Sequence, residues 1–240
     1  MITEVIPEFV FGPHEGDMTS NTELVSRLRE AAHLVFSTDK YELRGEFGEL
    51  ILHLLLRGFH GTVPLLSKIY FKDAVNVAVH GFDGVHVTRG DENKLWLGES
   101  KLYATGSQGV ESLVKDFKTH LKEDYLRQEF TLISKRIPDT HPDADEWRDL
   151  IHKYTPLDKI FSRLVIPMVC TYGSGIFGGC TEETDEYCTN FVEECRQLFG
   201  AFSTGIGNTS TEVILLLLPV PDKDELNRLL YGRLDAMRRI

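Results

Sequence analysis

Residues 81–103 constrain this chain more than any other stretch. Gly81-Phe82-Asp83-Gly84-Val85-His86-Val87-Thr88 and Lys94-Leu95-Trp96-Leu97-Gly98-Glu99-Ser100-Lys101-Leu102-Tyr103 are rich in β-branched, aromatic and leucine residues. Between them lies Arg89-Gly90-Asp91-Glu92-Asn93, which has the composition of a turn. The pattern predicts a β-hairpin whose loop is centred on Asp91. That register makes Thr88 face Lys94, Val85 face Leu97 and Asp83 face Glu99. Directly opposed side chains on one sheet face lie about 5 Å apart at Cβ. Glu99 and Lys101 are two residues apart and share that face.

Two carboxylates set against each other beside a lysine is an unusual arrangement for a hairpin. Like charges directly opposed destabilise a sheet. A hard divalent cation such as Mg²⁺ turns that repulsion into ligation. An amine two residues away is then placed to orient a water or to stabilise charge on a phosphate. Without a cation, the same residues make a surface hairpin with a Glu–Lys ion pair and an Asp-Gly turn. The pattern Asp83-x15-Glu99-x-Lys101 on a hairpin resembles the active-site motif of the PD-(D/E)xK nuclease superfamily. The proline that leads that motif is absent here, where Phe82 precedes Asp83.

The chain has 240 residues, 42% hydrophobic and 26% charged, enough to bury a substantial core. Nothing at its start resembles a signal peptide, and the longest apolar run, 213–220, is too short to span a bilayer. A cytoplasmic location is the expectation. The formal net charge is −11. Free-standing nucleic-acid binders are usually basic, because phosphate neutralisation supplies most of their affinity. A chain this acidic is expected to be a poor DNA binder on its own and to depend on a partner. Cys170, Cys180, Cys188 and Cys195 match no common zinc spacing and have no histidine among them, so reduced structural thiols are expected.

Along the chain, residues 5–11 read as a strand or extended arm, and residues 23–35 as a helix capped by Thr22. Residues 44–59 read strongly as a helix: Phe47, Leu50, Ile51, Leu54 and Leu55 recur at helical spacing, and Gly58 and Gly61 close it. Glu46, Glu49, His53 and Arg57 form a separate stripe, either a solvated face or a route by which Glu49 or Glu46 approaches a metal. A strand is expected over 65–71, and another, or the start of one long bent strand, over 73–80. Residues 109–135 read as one helix whose Lys115, Lys118 and Lys122 are candidate phosphate contacts. Gln108, at its start among free N–H groups, is a weaker candidate. A short helix over 144–154 and a helical turn follow. Residues 163–172 read as a strand in which Pro167 argues for an edge or a bulge. An acidic helix over 182–202, a buried strand over 211–220 and a last helix capped by Asp222 complete the chain. His86 has the wrong parity to join Asp83 and reads as structural or solvent-facing.

The order helix, strand, hairpin, helix, strand over 44–172 corresponds to the α-β-β-β-α-β core of the restriction-endonuclease-like (PD-(D/E)xK) fold, an α/β mixed central sheet flanked by helices. One domain is expected, with an N-terminal arm and helix (1–43), that core (44–172) and a C-terminal extension packed on it (173–240). Many enzymes of the superfamily carry an acidic residue on the helix before the first core strand. Gly45-Glu46-Phe47-Gly48-Glu49 is similar to the Mrr-like branch and favours Glu49. Finer texture extends the likeness: Arg-Gly-Glu-Phe-Gly-Glu, Lys-Ile-Tyr-Phe, Gly-Phe-Asp-Gly-Val-His, Leu-Gly-Glu-Ser-Lys-Leu-Tyr and the late Val-Ile-Leu-Leu-Leu-Leu-Pro-Val. Together these resemble the HamA family, the nuclease subunit of the Hachiman anti-phage defence system. The resemblance implies a metal-dependent DNA endonuclease using Mg²⁺ or Mn²⁺, partnered by a HamB-like superfamily 2 helicase that keeps it inactive until foreign or damaged DNA is engaged. Asp83 and Glu99 would hold the metal with Glu49 and the Ser100 carbonyl, and Lys101 would position the attacking water. The alternative is a non-catalytic subunit on the same fold that senses DNA or docks the helicase.

Overall fold

The computed structural model describes residues 2–12, 20–35, 45–67, 81–90, 93–178 and 184–240. A five-stranded mixed sheet lies at its centre, in the order β1 (Val63–Pro64), β2 (Gly84–Thr88), β3 (Lys94–Tyr103), β4 (Leu164–Gly173), β5 (Glu212–Val220). The hairpin has the expected register: Gly84 faces Gly98, Val85 faces Leu97 and Thr88 faces Lys94. The β1–β2–β3 pairings are antiparallel and the β3–β4–β5 pairings parallel. A parallel pairing needs a long crossover. The β3-to-β4 crossover carries α4 (Gly106–His120), α5 (Glu123–Arg136), α6 (Ala144–Leu150) and α7 (Leu157–Phe161), and the β4-to-β5 crossover carries α8 (Asp185–Ile206).

Alternation along each strand divides the core into two layers. On one face Val85, Val87, Leu95, Leu97, Ile166 and Met168 meet Leu113 and Phe117 of α4, Phe130 of α5 and Trp147 of α6. On the other, Trp96, Val165 and Val169 meet α1 (Ile2–Phe11), α2 (Asn21–Val35), α3 (Glu46–His60) and α9 (Lys223–Arg238). Glu99 and Lys101, at odd positions of β3, therefore belong to the α4 layer. Ser100 faces α3, where Gly48 leaves room for its hydroxyl: a Cβ there would lie 2.8 Å from Ser100 Oγ.

Several expectations are corrected. Residues 5–11 are helical, not extended; Ile6, Phe9 and Val10 are buried at helical spacing, and Pro7 lies inside α1, where its missing N–H forgoes one i→i−4 bond. Ser20 rather than Thr22 opens α2, its hydroxyl accepting the Glu23 N–H. Gly61, with φ +60°, closes α3, while Gly58 lies inside it. Residues 65–67 are not strand; the strand precedes them at Val63–Pro64. Residues 68–71 of the strand expected over 65–71, and the strand expected over 73–80, fall outside the described residues. The single helix over 109–135 is two helices, broken where Lys122 turns extended (ψ 138°). The helix expected over 144–154 stops at Leu150.

The two late strands also differ from expectation. The proline-containing strand, β4, is central and paired on both sides. The missing Pro167 N–H is absorbed by a gap in the β3–β4 ladder between Trp96–Val165 and Glu99–Met168. The uniformly apolar strand, β5, is the edge, with residues 213–220 half-buried. No helix among the described residues is long and apolar enough to cross a membrane.

Candidate active site

The β2–β3 ladder ends at Gly84–Gly98, and the next residues out on each arm are Asp83 and Glu99. Asp83 Oδ2 accepts two hydrogen bonds from one residue, the Ser100 backbone N–H and the Ser100 hydroxyl, both at 2.8 Å. That fixes the Asp83 carboxylate across the end of the hairpin. The Ser100 contact to Asp83 thus runs through its N–H and Oγ. Glu99 is buried, at 2% exposure. Burial raises its carboxyl to about 7, the Asp83 charge adds to the rise, and His120 and Lys101 pull against it. Lys101 Nζ lies 3.8 Å from Glu99 Oε2, so the strand's period of two does bring amine and carboxylate together.

Two further residues complete the cluster, both from α4. Asp116 Oδ2 lies 2.6 Å from Lys101 Nζ, and His120 Nδ1 lies 2.6 Å from Glu99 Oε1. Burial works to lower both Lys101 and His120. For Lys101 the Asp116 and Glu99 carboxylates outweigh it, and for His120 Glu99 and Asp116 do, so both pKa values end raised. The His120 ring stacks on Tyr125, with centroids 4.4 Å apart and planes 9° apart, and meets Phe82 edge-on at 5.4 Å. Sequence reasoning passed over Asp116 and His120 because the lysines of the same helix carry the more familiar phosphate-binding signal. The available clue was their position: each borders the apolar stripe of Leu113 and Phe117, where a polar residue is aimed at the sheet's rim rather than at solvent. Lys115, Lys118 and Lys122 are exposed. Gln108 is exposed too, in the first turn of α4, with its side-chain oxygen accepting from the Thr105 hydroxyl at 3.1 Å.

Glu49 arrives from the other layer. It lines a cavity of about 20 Å³ with Asp83, His53 and His86, so α3 does bring it to the aspartate. Glu46 does not line that cavity. The stripe on α3 is not a solvated face. His53 is buried, and Arg57 donates to Glu8 at 2.9 Å and to the Thr62 carbonyl at 3.0 Å. His86 is structural and buried rather than solvent-facing: Thr62 Oγ1 lies 2.8 Å from its Nδ1, and His53 Nδ1 lies 3.3 Å from its Nε2. Burial lowers both histidines, His53 to about 4 and His86 well below its usual value, so the chain from Thr62 to His53 is neutral.

The donor set suits a hard cation. Glu99 is a buried carboxylate contacted by His120 at Oε1, and the charge of Asp83 acts on it. Among the described residues no three His, Cys, Asp or Glu side chains converge as a closed metal cage. Mg²⁺ seldom needs one, since it keeps several waters and takes one or two carboxylates plus substrate phosphate. A larger cavity of about 640 Å³ lies between α4 and α8, lined by Val110, Val114, Leu198, Glu111 and Glu194 among others. Among the described residues no lysine or arginine lines its wall, and it is not suited to a phosphodiester.

A family model for HamA matches residues 1–234. The chain belongs to the HamA family. No curated protein and no solved structure matches it. HamA membership makes it a Hachiman defence protein. In this HamA chain the match spans the hairpin, α4 and both late strands, so every residue of the cluster lies within it.

Proposed function

We propose that the chain is the metal-dependent DNA endonuclease of a helicase–nuclease defence complex, cleaving phosphodiester bonds. The observation that carries this reading is the Asp83–Glu99–Lys101 set: two opposed carboxylates at the end of a hairpin, one of them buried, with an amine 3.8 Å away. Asp83 and Glu99 would hold a Mg²⁺ or Mn²⁺ ion, assisted by Glu49 and the Ser100 carbonyl. When bound, such an ion lowers the pKa of water and offsets charge that develops on phosphate. The protein's own part is orientation and charge. Ser100 locks Asp83 in place. Lys101 presents its ammonium to the attacking water and the phosphate oxygens. Burial keeps bulk water from screening those charges. Lys115, Lys118 and Gln108 would touch the DNA backbone alongside. The net charge of −11 supports dependence on a partner that brings DNA to the site, and a HamB-like superfamily 2 helicase fits that role.

The test is plasmid cleavage with Mg²⁺, with and without the helicase. Wild-type cleavage that disappears in both Glu99→Ala and Lys101→Ala is expected. Wild-type rates in either variant would refute the assignment. A second reading, a helicase-docking or DNA-sensing subunit without catalysis, is supported by the acidic charge. Absence of nicking by wild type in both arms would favour it.

A further inference from the structure

The site as read from β3 alone leaves one question open: what holds the carboxylate and the amine apart at a working distance. Glu99 and Lys101 are successive residues on one face of a strand, separated by about 6.5 to 7 Å along it. Their long side chains are free to collapse onto each other, which would cancel the charge each needs for chemistry. Asp116 and His120 are four apart on α4, one turn of helix, with about 5–6 Å between Cβ atoms. The two repeats nearly match. Helix and strand run in opposite directions here, so the contacts form two rungs: His120 to Glu99 and Asp116 to Lys101, each at 2.6 Å. The direct Lys101–Glu99 approach is longer, at 3.8 Å.

We propose that the last turn of α4 is the positioning element of the site. In it, His120 through Nδ1 sets the Glu99 carboxylate, and Asp116 sets the Lys101 ammonium. This rests on the metal-dependent phosphodiesterase reading. His120 is itself immobilised by its stack on Tyr125 and its edge contact with Phe82. The ring therefore meets Glu99 as a fixed wall bearing a nitrogen. Nδ1 and Oε1 are both buried and lie within hydrogen-bonding distance of each other. The contact thus ties down Oε1 and leaves Oε2 and the remaining lone pairs for a cation. Asp116, a quarter exposed, reaches Lys101 from the solvent side and draws the ammonium away from Glu99.

The proposal separates the nitrogen from the ring, and two substitutions separate them in the laboratory. His120→Phe keeps a stacking ring and removes Nδ1; His120→Asn keeps a nitrogen near the Nδ1 position and removes the ring. Mn²⁺ affinity of the full chain is read by calorimetry, with the thermal midpoint as a check on folding. The expected result is about tenfold or greater loss of Mn²⁺ affinity in His120→Phe, the scale on which partners of metal-binding groups act, and a loss under about threefold in His120→Asn. Wild-type affinity in His120→Phe, or equal impairment in both, would overturn the proposal in favour of ring packing alone. Asp116→Asn supplies an arm independent of the ring: kcat for DNA cleavage is expected to fall about tenfold, with KM and Mn²⁺ affinity kept within threefold. Unchanged kcat, or lost Mn²⁺ affinity, would overturn the Asp116 role. A wild-type chain that binds no Mn²⁺ and cuts no DNA would instead refute the underlying reading, so the two failures are distinguishable.

Discussion

Two polar clusters are packed against opposite faces of one sheet, and they solve the problem of burial in opposite ways. On the α4 face, Glu99, Lys101, Asp116 and His120 are ionisable groups of opposite sign paired at 2.6–3.8 Å. On the α3 face, Thr62, His86 and His53 are neutral and pass hydrogen bonds along a chain. Burying a charge is costly unless it is paired. The first cluster sets ionisable groups of opposite sign against each other, whereas the second holds its histidines neutral. The lesson is that the α4 face stores reactivity and the α3 face supplies rigidity beneath Asp83.

The difference has a sign in pH. Glu99 is raised to about 7 by burial, and Glu129, also buried beside the cluster, to about 7. A raised carboxyl binds protons more readily in the folded than in the unfolded chain. Its contribution is fully present below the unfolded value of 4.5 and lost as pH rises through 7. His53 is lowered from 6.5 to about 4. Its contribution is present above 6.5 and lost as pH falls through 4. Over the same window the two faces pull stability in opposite directions.

The comparison breaks most sharply at the catalytic pair. Glu99→Ala and Lys101→Ala are each expected to lower cleavage about 10³-fold or more, about 4 kcal/mol of barrier, with circular dichroism unchanged. Next is the pH test. Denaturant unfolding at pH 7 and pH 4.5 should show the His53 contribution falling by up to about 3 kcal/mol. His53→Gln should flatten that fall, and Glu99→Gln should steepen it; the same slope in all three chains would erase the contrast between the faces. Gly48→Ala tests how the faces communicate. Its Cβ would meet Ser100 Oγ at 2.8 Å, disturbing the bonds Ser100 makes to Asp83, and a loss of about 1–3 kcal/mol with reduced cleavage is expected. Gly58→Ala in the same helix meets nothing within 4 Å and should stabilise by up to about 1 kcal/mol. The smallest effect is expected from Lys115→Ala with Lys118→Ala: stability within about 0.5 kcal/mol, and DNA binding with a shallower salt dependence in a titration followed by anisotropy.

The parts of this molecule that could be read from sequence are those set by short-range pattern. Alternation and a polar loop were enough for the hairpin register, and helical spacing for α2, α3, α8 and α9. Interactions set by distant partners were not readable. Nothing between Leu121 and Glu123 is a glycine or proline, so the break between α4 and α5 has no local mark. Pro167 argues for an edge or a bulge and 211–220 reads as a buried strand, yet β4 is internal and β5 is the half-buried edge, because strand order depends on which crossover packs where. In the candidate site, Asp83, Glu99 and Lys101 were legible from hairpin geometry. Asp116 and His120 were not, since their meaning lies in the antiparallel run of α4 over β3, which appears only in three dimensions.

That run also sets an order of assembly. Every side chain of the cluster has been translated by residue 120, and β2 and β3 are close enough in sequence to pair at once. The neighbour that β3 needs on its other side, β4, is translated only after the intervening helices, and β5 after another long helix. Parallel pairings across such separations form late and slowly. A ribosome-bound chain therefore carries all the chemistry of the site well before it has the sheet that can hold it in register.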